Sequence, residues 1–227
     1  MNSVKQFYDD NPFPGFYSAK NLEIYNAGIV NPYIKFIDGY VSKSNSILDL
    51  GCGTGLICNF LASRHPYKNF IGLDFSNAVD YAKHYAEVNN LQNINFIKED
   101  ILSYQTSRKY DLIICQGVLH HIPNIELAIE KIHSLLSNQG VLVLGLYHPI
   151  GKQLKKLVSL NYKSNVLYKD QELHPYEECY TFKQTLDLNK NLSFIDAWPK
   201  NPYLHFIFNP LKFSRSGGLV IYSFSKI

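Results

Sequence analysis

The feature that most constrains this 227-residue chain is the segment from residue 47 to residue 55, which reads ILDLGCGTG. An apolar strand carries an acid, Asp49, and three glycines follow at alternate positions, Gly51, Gly53 and Gly55. Glycine accepts positive φ angles and lets a ligand approach the backbone closely. The apolar stretch 56–62 predicts a helix whose first N–H groups have no intrahelical partner. The segment therefore predicts a strand–turn–helix unit that holds a ligand against its backbone.

The spacing of these glycines separates the turn from two other ligand-binding turns. Dinucleotide-binding folds carry G-x-G-x-x-G, but position 56 of this chain is Leu. A P-loop needs a Lys directly after its last glycine, and no Lys follows Gly55. The spacing therefore disfavours both a nicotinamide oxidoreductase and a P-loop protein.

Acidic side chains also close the next predicted strands. Asp74 follows the apolar strand 69–73 and lies 21 residues after Gly53, near the ~20-residue spacing at which an acid reaches ribose hydroxyls. Asp74 as a cap of the following helix is the alternative. Asp100 follows strand 94–98, and its neighbour Glu99 could serve in its place. Because open α/β sheets bind ligands at the carboxyl ends of their strands, these acids predict one site.

Strands and helices alternate along most of the chain, which predicts a parallel sheet covered on both faces. A helix is also expected from Leu22 towards Ile37, with Pro32 restricting its middle or splitting it in two. The predicted strands are 46–50, 69–73, 94–98, 110–116, 140–147, 192–198 and 218–225, and the predicted helices between them are 55–65, 77–89 and 124–137.

With these motifs in place, the chain resembles the class I S-adenosylmethionine-dependent methyltransferases, in their small-molecule, ubiquinone-biosynthesis-like branch. The resemblance lies in the glycine turn, in Asp74 and Asp100, and in the segments 116–123 and 139–144. It implies an α/β, doubly wound Rossmann-like sheet of seven strands, mostly parallel with an antiparallel last strand, plus N-terminal helices and a lid insertion after the fifth strand. It implies one domain, 1–227, with an N-terminal cap (1–44), a cofactor-binding core (45–147), a lid insertion (148–191) and closing strands (192–227).

The resemblance also implies that S-adenosyl-L-methionine is the cofactor and S-adenosyl-L-homocysteine the product. The residues expected to bind it are Asp49, Gly51, Cys52, Gly53, Thr54, Gly55, Asp74, Phe75, Asp100, Ile101, Gln116 and Gly117. His121 and His120 follow the fourth strand and are the candidate general bases, because histidine titrates near neutrality. At most one of them is expected to face the acceptor. No carboxylate lies between Cys115 and His121 to complete a chelate, so no metal is expected.

Composition limits the compartment and the partners. The net charge is +3 and the basic residues are dispersed, so a nucleic-acid partner is not favoured. The four cysteines form no C-x-x-C pair, which indicates reduced thiols and a cytoplasmic protein. No apolar run approaches ~18 residues, so no membrane span is expected. A monomer and a homodimer both remain open.

The sequence thus predicts methyl transfer to a small-molecule oxygen or nitrogen nucleophile. The alternatives are a methyltransferase acting on RNA or protein, and a catalytically silent binding or scaffold protein with the same fold. The aromatic-rich segments outside the core, 149–191, 199–216 and the N-terminus, are expected to wall the acceptor pocket. Packing of these aromatics in an enlarged core or a dimer interface is the alternative.

Overall fold

The computed structural model describes residues 2–17, 32–153, 176–200 and 218–226. Helices and strands alternate through the middle of the chain, as expected. The helices are α1 (Asn2–Asp10), α2 (Pro32–Val41), α3 (Leu56–Arg64), α4 (Ala78–Val88), α5 (Ile125–Leu135) and α6 (Phe182–Leu188). The strands are β1 (Ser46–Leu50), β2 (Asn69–Asp74), β3 (Ile94–Lys98), β4 (Tyr110–Gln116), β5 (Leu136–Tyr147), β6 (Ser193–Trp198) and β7 (Leu219–Ser225).

These strands form one seven-stranded sheet in the order β3-β2-β1-β4-β5-β7-β6. The pairs from β3 to β5 are parallel, and β7 runs antiparallel to both β5 and β6. The predicted fold class, with its antiparallel last strand, is confirmed. The order reverses at β1, which places the ends of β1 and β4 beside a crevice of the kind that binds ligands in open α/β sheets.

Both faces of the sheet are buried, which is why its central strands are apolar without alternation. Ile47 and Leu112 pack into the cluster under α2, α3 and α4, whereas Leu48 and Ile113 pack into the cluster under α5. All four are fully buried. Burial of each such side chain is worth about 1.5–3 kcal/mol, so the two layers fix the sheet that carries the site.

The start of β1 is fixed against β4 by Asp111. Its Oδ2 accepts hydrogen bonds from the backbone N–H groups of Asn45 and Ser46, at 3.0 and 3.1 Å. Burial raises the pKa of Asp111, but these hydrogen bonds and one from Ser137 outweigh it and lower the pKa below its usual value. This carboxylate therefore holds the register at the end of the sheet opposite the crevice.

Several element boundaries differ from the sequence prediction. Strand β5 begins at Leu136 rather than at residue 140, because Leu136 leaves helix α5 in an extended conformation and pairs with Tyr110. The described part of the second N-terminal helix runs from Pro32 to Val41, past Ile37; Leu22 lies outside the described residues. Helices α1 and α6 have no specific counterpart among the helices predicted individually. Within the described residues, no helix combines the length and apolar character needed to cross a bilayer.

Candidate active site

A cleft lies at the carboxyl ends of β1, β2, β3 and β4 and encloses about 930 Å³, part of it open to solvent. Eight of the twelve residues predicted to bind a cofactor line it, together with one of the two candidate bases. These nine are Gly51, Gly53, Asp74, Phe75, Asp100, Ile101, Gln116, Gly117 and His121. Most of the residues predicted from the sequence to form the site therefore line one cleft.

Packing within the protein explains two of the turn's glycines. Gly51 has φ +71°, and a Cβ there would lie 2.3 Å from Val118 Cγ2. Gly53 has φ +55°, and a Cβ there would lie 2.2 Å from the carbonyl oxygen of Phe13. That same carbonyl accepts a hydrogen bond from the N–H of Thr54 at 3.0 Å. The turn thus needs glycine because neighbouring protein atoms already occupy the Cβ positions, a reason that the sequence did not reveal.

Cys52, Thr54 and Gly55 do not line the cleft, although they were predicted to contact the cofactor. Thr54 is fully buried, and its hydroxyl donates to the carbonyl of Gly15 at 3.0 Å. A Cβ at Gly55 would lie 2.6 Å from Ala82 Cβ, on helix α4. These three residues shape the turn from behind, and their direct contact with a cofactor stays a prediction.

Asp74 ends β2 and turns its carboxylate towards the glycine turn. Oδ2 accepts from the N–H of Gly53 at 2.8 Å, and Oδ1 accepts from the N–H and the hydroxyl of Ser76 at 2.8 and 2.7 Å. Helix α4 starts later, at Ala78, so these bonds form a local turn rather than a helix cap. Burial raises the pKa of Asp74 even though the three donors act to lower it. Oδ2 keeps a second lone pair that can accept a ligand hydroxyl.

Asp49 lies behind the cleft, not in its lining, and is nearly fully buried. Burial and the neighbouring Asp74 carboxylate raise its pKa to about 7, although a hydrogen bond from the Cys58 thiol opposes the shift. Its expected contact with the cofactor stays a prediction. Its position supports a negative charge just behind the turn, and the charge increases as pH rises through neutrality.

Two acids and an amide complete the polar lining. Glu99 and Asp100 both face the cleft, so the alternative between them stays open. Asp100 Oδ1 accepts from the N–H of Leu102 at 2.8 Å, which fixes its orientation. Gln116 Nε2 is buried and has no hydrogen-bond partner among the described residues. A buried amide donor left unpaired costs stability, so Gln116 fits a ligand that brings an acceptor atom into the cleft.

His120 and His121 form a short 3-10 turn with Leu119, and their rings lie 4.1 Å apart. His121 lines the cleft, whereas His120 is fully buried against Tyr147, with ring centroids 4.2 Å apart. Nδ1 of His121 lies 2.9 Å from the carbonyl oxygen of Tyr176. A carbonyl only accepts, so Nδ1 carries a proton, and Nε2 is the ring atom that can act as a base. Of the pair, His121 alone lines the cleft, and its role as a general base stays a prediction.

Glu177 is the neighbour that sequence reasoning missed. One ligand atom each from His120, His121 and Glu177 lies within 4.8 Å of the others. Such a set could hold a metal ion, but Lys152 Nζ contacts the Glu177 carboxylate and places a positive charge there. No local signal marks Glu177, because it lies 56 residues after His121 and reaches it only through the chain fold.

The N-terminal segment forms one wall of the cleft through Val4, Tyr8 and Phe13. Asp9 ties α1 to the start of α4 by accepting from the N–H of Asn77 at 2.6 Å. Several aromatics of the predicted acceptor wall are described but do not line the cleft: Phe7, Tyr17, Tyr176 and Tyr180. Others lie outside the described residues: Tyr162, Tyr168, Tyr203, Phe206 and Phe208.

Comparison with known proteins decides the family. A family model described as a methyltransferase domain matches residues 41–195. A ubiquinone biosynthesis O-methyltransferase of Coxiella burnetii is 31% identical over 162 residues, covering 66% of this chain and 67% of the relative. The chain belongs to the class I S-adenosylmethionine-dependent methyltransferases. This confirms the resemblance drawn from the glycine turn and the acids.

Two further comparisons show that this methyltransferase is similar to more distant proteins, one in sequence and one in structure. (S)-coclaurine N-methyltransferase of Papaver somniferum is 26% identical, covering 56% of this chain but only 37% of that protein. A crystal structure of magnesium protoporphyrin IX methyltransferase from Synechocystis, with bound S-adenosylhomocysteine, superposes with a TM-score of 0.64 at 16% identity. It covers 100% of this chain and 94% of that one, and it shows the shared fold.

The charge of the cleft agrees with the cofactor of this family. Asp74, Glu99 and Asp100 line it, and none of its described lining residues is Lys or Arg. S-adenosylmethionine carries a positive sulfonium, an ammonium group and a carboxylate, so its net charge is positive and suits a cleft lined by acids. A nicotinamide dinucleotide carries a negative diphosphate, which they repel. The cleft therefore fits the methyltransferase cofactor on charge as well as on turn geometry.

Proposed function

We propose that this methyltransferase transfers a methyl group from S-adenosylmethionine to an oxygen or nitrogen nucleophile of a small molecule. The observation that carries the proposal is the single cleft, in which the glycine turn, three carboxylates and His121 share one surface. The relatives' names support a small acceptor, since one is an O-methyltransferase of ubiquinone biosynthesis and another an N-methyltransferase of coclaurine.

Within that cleft, each polar group has a part consistent with its position. Asp74 accepts the ribose hydroxyls, and Asp100 or Glu99 accepts the adenine amino group. Gln116 donates its unpaired N–H to an acceptor atom of the bound pair. Asp49, behind the turn, adds negative charge near the methionine amino end. Together these contacts hold the reacting methyl at one place, and alignment of this kind supplies several kcal/mol of barrier reduction.

Bound S-adenosylmethionine supplies a methyl group on a positively charged sulfur. The acceptor's lone pair would attack this methyl group, and the electrons of the C–S bond would remain on the neutral sulfur of the product. His121 Nε2 takes the proton that the acceptor loses, which leaves a neutral methylated product and an imidazolium. The apolar side chains of Val118, Ile122 and Pro123 line the cleft beside His121 and exclude water from the reacting atoms.

Calorimetry and an activity screen test the proposal. Purified protein should bind S-adenosylmethionine and S-adenosylhomocysteine but not NAD, because of the charge of the cleft. A panel of phenols and amines is then assayed for formation of S-adenosylhomocysteine. If the protein binds the cofactor but methylates RNA or protein and none of the small molecules, the acceptor class is wrong. If NAD binds and the cofactor does not, the site assignment is wrong.

We also propose a cytoplasmic location and either a monomer or a homodimer. All four cysteines are free, and Cys52, Cys58 and Cys115 are buried. Burial together with nearby carboxylates raises the pKa of the Cys52 and Cys58 thiols, which suits thiols kept reduced. Cell fractionation tests the compartment, and light scattering at several protein concentrations tests the oligomeric state.

A further inference from the structure

The segment from residue 176 to residue 180 is docked on the histidine pair by its backbone. The N–H of Glu178 donates to the carbonyl of His120 at 2.9 Å, and the carbonyl of Tyr176 meets His121 Nδ1. The N–H of Tyr180 donates to the carbonyl of Tyr147, at the end of β5, at 2.8 Å. Glu177 lies between these anchors, so its position relative to both imidazoles is set by the fold.

The side chain of Glu177 is only 7% exposed, which makes a lone carboxylate there costly. Two features offset that cost. Lys152, in the helical residues 149–153 after β5, contacts the carboxylate through Nζ. The histidine nitrogens lie within 4.8 Å of a carboxylate oxygen and can carry a positive charge. The Glu177 carboxylate therefore interacts both with the permanent charge of Lys152 and with the two histidines, whose charge depends on pH.

We propose that Glu177 is a positioning residue for the His120–His121 pair, with its carboxylate held by Lys152 so that it orients the imidazoles and stabilises the imidazolium formed at His121. This inference rests on the proposed base role of His121. The logic is that of a nucleophile or base oriented by a third group. Lys152 limits the effect, because its charge opposes a second cation on the same carboxylate.

Several other groups face the pair and contribute to its proton affinity. Tyr8 on α1 lies 6.0 Å from the His121 ring, and Tyr147 on β5 packs against His120. Glu178, next to Glu177, is exposed and accepts hydrogen bonds from two tyrosine hydroxyls. None of these places a carboxylate as close to both rings as Glu177 does among the described residues. Removing Glu177's charge should therefore lower the titration midpoint of His121 selectively.

Histidine-selective NMR tests this on the whole protein saturated with S-adenosylhomocysteine. Ring signals are followed from pH 5 to pH 9 and assigned with His120→Asn and His121→Asn. E177Q should lower the His121 midpoint by about 0.5–1.5 pH units, the range for one charge within 4.8 Å at effective dielectrics of ~20–80 after partial offset by Lys152. K152M should move the midpoint the opposite way, because it removes a positive charge. E178Q is the matched control and should move it by less than about 0.2 units.

Opposite shifts in E177Q and K152M support the proposal, since loss of packing alone gives no such sign reversal. An unchanged midpoint in E177Q, or shifts of the same sign in both variants, overturns it. S-adenosylhomocysteine affinity is measured on every variant by calorimetry. Failure of the parent protein to bind would count against the proposed function, whereas normal binding with an unmoved midpoint counts only against the role of Glu177.

Discussion

Asp49 makes the stability of the unliganded protein depend on pH in a direction unusual for an aspartate. Burial and the nearby Asp74 carboxylate raise its pKa to about 7, whereas an unfolded aspartate titrates near ~3.9. Between those values the folded protein binds more protons than the unfolded chain. Its contribution to stability is therefore complete below about pH 4 and is lost as pH rises through about 7. Asp49→Asn should remove most of this dependence, because the amide stays neutral and its oxygen still accepts from Cys58.

The size of the effect follows from the two pKa values. From pH 5 to pH 8 the Asp49 contribution falls by roughly 2.5 kcal/mol, since each unit of pKa difference is worth about 1.4 kcal/mol. A change of that size moves the melting temperature of a 227-residue protein by about 5–10 °C. The variant should thus melt higher than the parent at pH 8, with the advantage shrinking towards pH 5.

Thermal unfolding of parent and variant at pH 5, 6, 7 and 8, without ligand, measures this difference. Asp111→Asn is the control, because the pKa of Asp111 is lowered by backbone hydrogen bonds and its charge does not change over this range. It should lose stability by the same amount at each pH. The reasoning fails if Asp49→Asn keeps the parent's slope, or if it is less stable than the parent at pH 8.

Three further outcomes are expected. Gly53→Val should weaken S-adenosylhomocysteine binding at least ~100-fold in calorimetry, because its Cβ would displace Phe13; Gly39→Ala, where a Cβ meets nothing within 4 Å, should bind normally. Asp74→Ala should weaken that binding by roughly 1.5–3 kcal/mol, and parent-like affinity would show that Asp74 serves only the turn. His121→Asn should lower turnover ~10²–10⁴-fold on an identified acceptor with cofactor affinity retained; unchanged turnover would mean that alignment alone suffices.

The parts of the fold that were predictable are those whose signal is local. The predicted first and last residues of β1 and β3 match the structure, because each strand is a short apolar run bounded by turn residues and acids. The start of β5 was missed by four residues, since Leu136 is apolar at a helical spacing and only its pairing with Tyr110 draws it into the sheet. A tertiary contact overrode the local pattern there.

The site divides in the same way. Gly51, Gly53, Asp74 and Asp100 follow strands whose carboxyl ends must meet, so their convergence could be derived. The position of Glu177 could not be derived, because the segment that carries it is distant in sequence and meets the histidine pair through backbone contacts to His120, His121 and Tyr147. The reason why position 53 must be glycine could not be derived either, since the atom that excludes a side chain there belongs to residue 13, forty positions earlier.

The acids explain why the protein keeps a buried carboxylate that destabilises it near neutral pH. Asp49 is buried near Asp74, and burial together with the Asp74 carboxylate raises the cost of ionising Asp49. A bound cation reverses that cost, because it favours the ionised form of both groups. We propose that the negative charge that costs the unliganded fold stability attracts the methionine ammonium, a group that the cofactor and the product both carry. Asp49→Asn should therefore weaken cofactor binding while it raises the stability of the unliganded protein. Such a trade-off between activity and stability is common at functional sites.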